Sequence, residues 1–174
     1  MNRISKQIIK EQLLSLFKEI MEYQNRGNSH IKVLISAIEC NVGFNETKKQ
    51  WADYHNGGIN AFKQGDLKNA IKLFDLAIKK YPSAESYYNR GFVYSQIGDF
   101  KNEISSYTAS ILLDENHINA NRNRGLCILG LLTNNNLMND VDCNELLNLA
   151  RQDLRNTIKL GGEDAREYLQ QSYS

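Results

Sequence analysis

Apolar residues return every three or four positions along most of this chain, the spacing that gathers them on one face of an α-helix. Near the start, Ile9, Leu13, Leu16, Phe17 and Ile20 form one such stripe. After the turn NRGNS, a second run, IKVLISAIEC at 31–40, aligns with IKLFDLAIKK at 71–80 and sets Ala37 on Ala77. Residues 1–45 therefore predict a helix pair, a degenerate first repeat.

Further along, the stripes recur at a fixed distance. QGDLKNAIKLFDLAI from Gln64 aligns without a gap with IGDFKNEISSYTASI from Ile97, at an offset of 33. Upstream, Gly58, Gly91 and Gly125 are spaced 33 and then 34 apart. Helical spacing inside a unit of this length predicts helix hairpins stacked side by side. The units are 46–82, 84–115 and 117–160. The third holds an insertion of about 13 residues near 133–144, because Gly125 to Ala150 is 25 residues where Gly58 to Ala70 is 12. The inserted TNNNLMNDVDCN is Asn-rich and reads as a loop or a frayed helix tip. Gly161-Gly162 ends a helix, and 163–173 predicts a short capping helix to cover the last apolar face.

The positions that recur resemble the tetratricopeptide repeat family. The first unit carries Tyr54, Gly57-Gly58, Ala70, Phe74, Ala77 and Pro82; the second carries Tyr87, Gly91, Tyr94 and Tyr107, with Gly98 in the turn. In the third, Gly125, Ala150, Leu154 and Thr157 continue the pattern. Gly and Ala let helix axes approach, and aromatics fill the wider gaps. Glu103 departs from it, standing where a small residue is expected; Arg90, Arg124 or solvent would have to meet it. The resemblance implies an all-α, right-handed superhelical solenoid of antiparallel hairpins.

It also implies a concave surface lined by the first helix of each pair. Carried over position by position, that surface comprises His55, Ile59, Phe62 and Lys63, then Glu85, Tyr88, Asn89, Phe92 and Gln96, then Asn119, Arg122, Asn123, Leu126 and Leu129. Amide side chains can bond both the N–H and C=O of a peptide, while aromatics bury area at low entropy cost. The partner implied is a peptide or helix of another protein. Each aromatic, taken singly, is equally at home in an inter-repeat core. Some family members clamp a C-terminal carboxylate with several Lys, Arg and Asn side chains. Here Asn89 matches, whereas His55, Ile59, Asn119 and Asn123 fill the other places, so chaperone-tail binding is disfavoured.

Composition narrows the rest. With 21 Lys and Arg against 20 Asp and Glu, the chain lacks the basic excess of a nucleic-acid binder. Cys40, Cys127 and Cys143 show no metal or disulfide spacing, which points to a reducing compartment. No long apolar run suggests a membrane span, so a cytoplasmic location is expected. His30, His55 and His117 make no metal motif, and a Cys127–His55 nucleophile pair is disfavoured beside an inert packed thiol. Asp140, Asp142 and Asn144 mimic the start of a calcium loop without its Gly and closing Glu. Neither catalysis nor a cofactor is expected. The alternative function is self-association into a homodimer through Ile4, Ile8 and Leu14 of the N-terminal helix.

Overall fold

The computed structural model describes residues 6–22 and 44–173, and the predicted helix at 31–40 lies outside them. Eight α-helices occur among the described residues, and no strand. They are α1 (6–22), α2 (Phe44–Lys63), α3 (Leu67–Lys80), α4 (Ala84–Ile97), α5 (Phe100–Leu113), α6 (Ile118–Asn134), α7 (Asn144–Lys159) and α8 (Ala165–Gln171). They fall into two compact units. One contains α2–α5; the other contains α1 with α6–α8.

In the first of these units, two hairpins are closed by one turn used twice. Gly65 and Gly98 take φ values of +79° and +72°, a left-handed conformation that costs a side chain but not glycine. Each is followed by an aspartate that caps the next helix: Asp66 accepts from the Asn69 N–H at 3.1 Å, and Asp99 from the Asn102 N–H at 3.2 Å. Gly-Asp thus both ends one helix and starts the next.

The hairpins nest where the sequence repeat puts its small residues. A Cβ built on Gly58 would lie 2.8 Å from the Phe74 ring, and one on Gly91 would lie 2.8 Å from the Tyr107 ring. Both rings are buried and lie flat against bare backbone. Burying a ring of this size contributes roughly 1.5–3 kcal/mol. Ala61, Ala70, Phe74 and Val93 form one core cluster, with Ile59, Phe62, Leu67, Ile71 and Leu73 packed on its edge. Ser110 ties α5 back to α4 by donating to the Ala84 carbonyl at 2.9 Å.

The other unit repeats the crossing with different chemistry. A Cβ on Gly125 would meet the Ala150 carbonyl oxygen at 3.0 Å and Leu154 at 3.3 Å. Beside it, the Arg124 guanidinium donates two bonds to the Asp153 carboxylate, at 2.8 and 2.7 Å. Both side chains are 2% exposed. Burial pushes the Asp153 carboxyl up, and the Arg124 charge and hydrogen bonds pull it back. At the matching place in the second hairpin, Arg90 donates to Ser106 Oγ at 3.1 Å and to Asp75 at 2.7 Å. Glu103 is half-buried in the first turn of α5.

Between α6 and α7 the inserted residues form a turn and a short 3-10 helix, Val141–Cys143. The N-terminal helix docks on this insertion. Lys6 donates to the Asn136 carbonyl at 2.8 Å, and Lys10 lies 2.9 Å from Asp140 and 2.7 Å from Asp142. Leu13, Leu16 and Ile20 are buried, so the stripe read from the sequence is this helix's packed face.

Candidate partner-binding face

The residues expected on a partner-facing surface divide by what holds them. In the α2–α5 unit, the lower part of the face is a buried polar cluster. Trp51 Nε1–H donates to Ser83 Oγ at 3.2 Å and to Ser86 Oγ at 3.0 Å, and the Ser83 hydroxyl donates to Ser86 Oγ at 2.9 Å. With two bonds arriving at its oxygen, Ser86 has its own proton left for His55 Nδ1, 2.9 Å away. His55 Nε2 lies 3.5 Å from the Asn89 side-chain Nδ2, at the outer limit of a hydrogen bond. The His55 ring is 9% exposed and packs 5.1 Å from Trp51 and 5.7 Å from Phe74. Burial holds its pKa below the ordinary imidazole value, with Glu85 opposing through its charge. His55 was expected on the open face. It is instead a neutral, buried strut between α2 and α4, because Ser86 supplies the partner that lets an imidazole be buried there.

Above this cluster lies a row of rings. Phe62 and Phe92 meet edge to face at 5.5 Å, Phe92 and Tyr88 stack at 6.5 Å, and Tyr88 lies 5.8 Å from the buried Tyr107. Phe92 is 37% exposed, whereas Phe62, Tyr88 and Ile59 are half-buried. Lys63, Glu85 and Gln96 are exposed. Ile59 and Phe62 belong to the edge of the core, and Phe92 rises from it.

On α6 the corresponding side chains are already engaged. Arg122 donates to Asp164, at the N-terminus of α8, at 2.9 Å, and its Nε–H to Asn123 Oδ1 at 3.4 Å. Leu129 is buried and Leu126 half-buried, so Leu129 is not the open wall residue expected. Asn119 is exposed. Leu126 and Leu129 line one side of an open cleft of about 280 Å³, with Gly130, Thr133, Asn134 and Met138. Tyr168, Gln171 and Ser172, at the end of α8, line the other side.

A sequence model of the tetratricopeptide repeat matches residues 84–117, the hairpin with Gly91 against Tyr107. By sequence, that hairpin is a tetratricopeptide repeat. No curated protein matches the chain. Among solved structures, the second TPR domain of human RPAP3, in complex with the HSP70 peptide SGPTIEEVD, is 24% identical with a TM-score of 0.60; the match covers 74% of this chain and 98% of that one. The first TPR of Spaghetti (RPAP3), bound to the HSP90 peptide SRMEEVD, is 19% identical with a TM-score of 0.60, over 72% of this chain and 91% of that one. The Arabidopsis OM64 TPR domain is 19% identical with a TM-score of 0.59, over 72% and 98%. At these identities the likeness establishes the fold, all-α and of tetratricopeptide type.

Within the α2–α5 unit, sequence reasoning missed the Trp51–Ser83–Ser86 cluster. Its signal was present: the chain's single Trp stands seven residues before Gly58, and Ser83 occupies a helix-capping position. Cys127 is half-buried and Cys143 buried, with burial raising the Cys143 thiol. Among the described residues no three His, Cys, Asp or Glu side chains converge as a metal site, and no helix is long and apolar enough to cross a membrane.

Proposed function

We propose that the protein is an interaction module that binds a peptide or helical segment of another polypeptide on the first-helix faces of its repeats. The observation that carries this reading is Phe92, an aromatic left 37% exposed on a rigid helix and braced by Phe62 and Tyr88. A large side chain held in one place offers contact area at little entropic cost, as interface anchors do. Lys63, Glu85 and Gln96 are exposed polar side chains of the same two first helices. The peptide-bound RPAP3 domains share the fold and support the reading. An adaptor or accessory subunit acting in the cytoplasm is the role we assign.

The ligand is not expected to be an acidic C-terminal tail. His55 is buried and Arg122 is engaged by Asp164, so the cations that would hold a terminal carboxylate are few. Titrating the labelled peptide SRMEEVD into the protein should give no saturable binding. A partner recovered from the native source should be lost by a Phe92→Ala, Asn123→Ala double variant that keeps its helical spectrum; retention of every partner would refute the reading.

Self-association is the second reading, favoured by Ile8, which is 49% exposed on α1. Leu14 is half-buried, and Ile4 lies outside the described residues. Light scattering at high concentration decides it, a strict monomer removing the dimer.

A further inference from the structure

The polar cluster beneath the ring row has a direction built into it. Trp51 and His55 lie one turn apart on α2, and both reach the first turn of α4, where Ser83 is the N-cap and Ser86 the third helical residue. Ser83 Oγ accepts from the Ser86 backbone N–H at 3.2 Å. The cap that starts α4 and the contact that holds α4 to α2 therefore share the same two serines. Both are buried, Ser86 fully. A hydroxyl carries one proton and two lone pairs. Trp51 and Ser83 fill the lone pairs of Ser86, and its proton goes to His55 Nδ1.

At Nδ1 the ring is an acceptor, and a protonated imidazole cannot accept. With a proton there, ring and Ser86 hydroxyl confront each other as two donors. Turning the Ser86 hydroxyl towards Ser83 relieves this, but it drives the Ser83 proton from its acceptor inside a buried site. The new charge would also stand against the N-terminal turn of α4, where the peptide dipoles present their positive end. Around the ring are Trp51 on α2, Phe74 on α3, and Ser86, Asn89 and Glu85 on α4. Glu85 is the charged group among these; its pull favours the imidazolium, and burial outweighs it.

We infer that His55 is a proton-operated latch on the first turn of α4: when the ring takes up a proton, Ser83 and Ser86 lose their hold on α2 and the turn opens. The same helix carries Tyr88 and Phe92, so the latch makes the partner-binding face acid-sensitive. That consequence rests on the proposed function, whereas the latch itself does not.

Amide exchange of the full chain, followed by residue and corrected for the intrinsic rate, tests it. Between pH 7.5 and 5 the Ser86 amide should open up to about thirtyfold more often, tenfold for each pH unit below about 6.5, while the α5 amides hold. Trp51 is the chain's single Trp, and its emission should fall over the same range, because an imidazolium quenches an indole beside it. His55→Gln should abolish both responses. Should that variant misfold, the imidazole 15N shifts of the parent decide instead, the neutral ring carrying no proton on Nδ1. A proton found there overturns the latch. So does a Ser86 response under about threefold, or one matched throughout α5, which would be unfolding of the whole unit. The adduct formed through a photo-crosslinking analogue at Phe92 should fall between pH 7.5 and 5 in the parent and persist in His55→Gln. An undiminished adduct would overturn the acid control and leave the proposed function standing. No adduct at any pH would refute the proposed function, with the latch decided by exchange alone.

Discussion

In the first hairpin Gly57 and Gly58 meet Leu73 and Phe74; in the third, Arg124 and Gly125 meet Asp153 and Leu154. The register is identical once the 13-residue insertion is removed, yet one crossing is closed by apolar contact and the other by a buried ion pair. The difference shows that the repeat constrains distance and leaves chemistry free. Wherever a glycine admits the opposing helix, its neighbour can be filled by whatever satisfies itself. An apolar pair does this by burial alone. Arg124 and Asp153 must do it by satisfying each other, since an ion taken out of water loses several kcal/mol of solvation.

That contrast predicts the largest effect. Arg124→Ala strands a buried carboxylate and should cost about 3–5 kcal/mol in denaturant unfolding. Replacing both partners with apolar residues, Arg124→Met with Asp153→Leu, should restore stability to the parent's level or raise it by about 1–4 kcal/mol. If the single variants cost no more than the double, the third crossing is not closed as described.

Next in size are the adjacent glycines of the first hairpin, which should respond with opposite sign. Gly58→Ala puts a Cβ 2.8 Å from the Phe74 ring and should cost about 1–3 kcal/mol. Gly57→Ala meets Leu73 no closer than 3.6 Å, an ordinary contact, and should gain up to about 1 kcal/mol from helix propensity. Thermal melts of the two variants check this directly.

A smaller effect depends on pH. Because burial lowers the His55 pKa in the folded chain, the unfolded chain takes up the proton first as pH falls through about 6.5. Stability present above that pH should be lost towards pH 5, by at most about 1.4 kcal/mol per pH unit. His55→Gln should flatten the slope. Urea midpoints across this range give the answer.

The mildest change should come from Lys10→Ala. It removes the bridge to Asp140 and Asp142 and should speed amide exchange in α1 while leaving α3 and α5 unchanged. Salt should mimic it, because the pair is open to solvent.

The hairpins were legible in the sequence because packing repeats: glycines 33 and 34 apart, Gly-Asp turns, and an aromatic sixteen residues beyond each of the first two glycines all report the same crossing. The insertion was legible by subtraction. What could not be read was chemistry between elements that do not repeat. Arg124–Asp153 occurs once, and Asp153 stands where the other units have Leu73 and Ser106. His55 fits an open surface by position, and only Ser86, 31 residues away, turns it inward. The docking of Lys6 and Lys10 on the insertion joins segments 130 residues apart, beyond any local pattern.

The proposed role is tested most directly by placing a photo-crosslinking phenylalanine analogue at Phe92 and, separately, at Lys72, an exposed position on the second helix of the first hairpin. Irradiation in the native source should yield one discrete adduct with another protein from Phe92 and none from Lys72. The same adducts from both positions, or none from either, would contradict a partner held on the first-helix face.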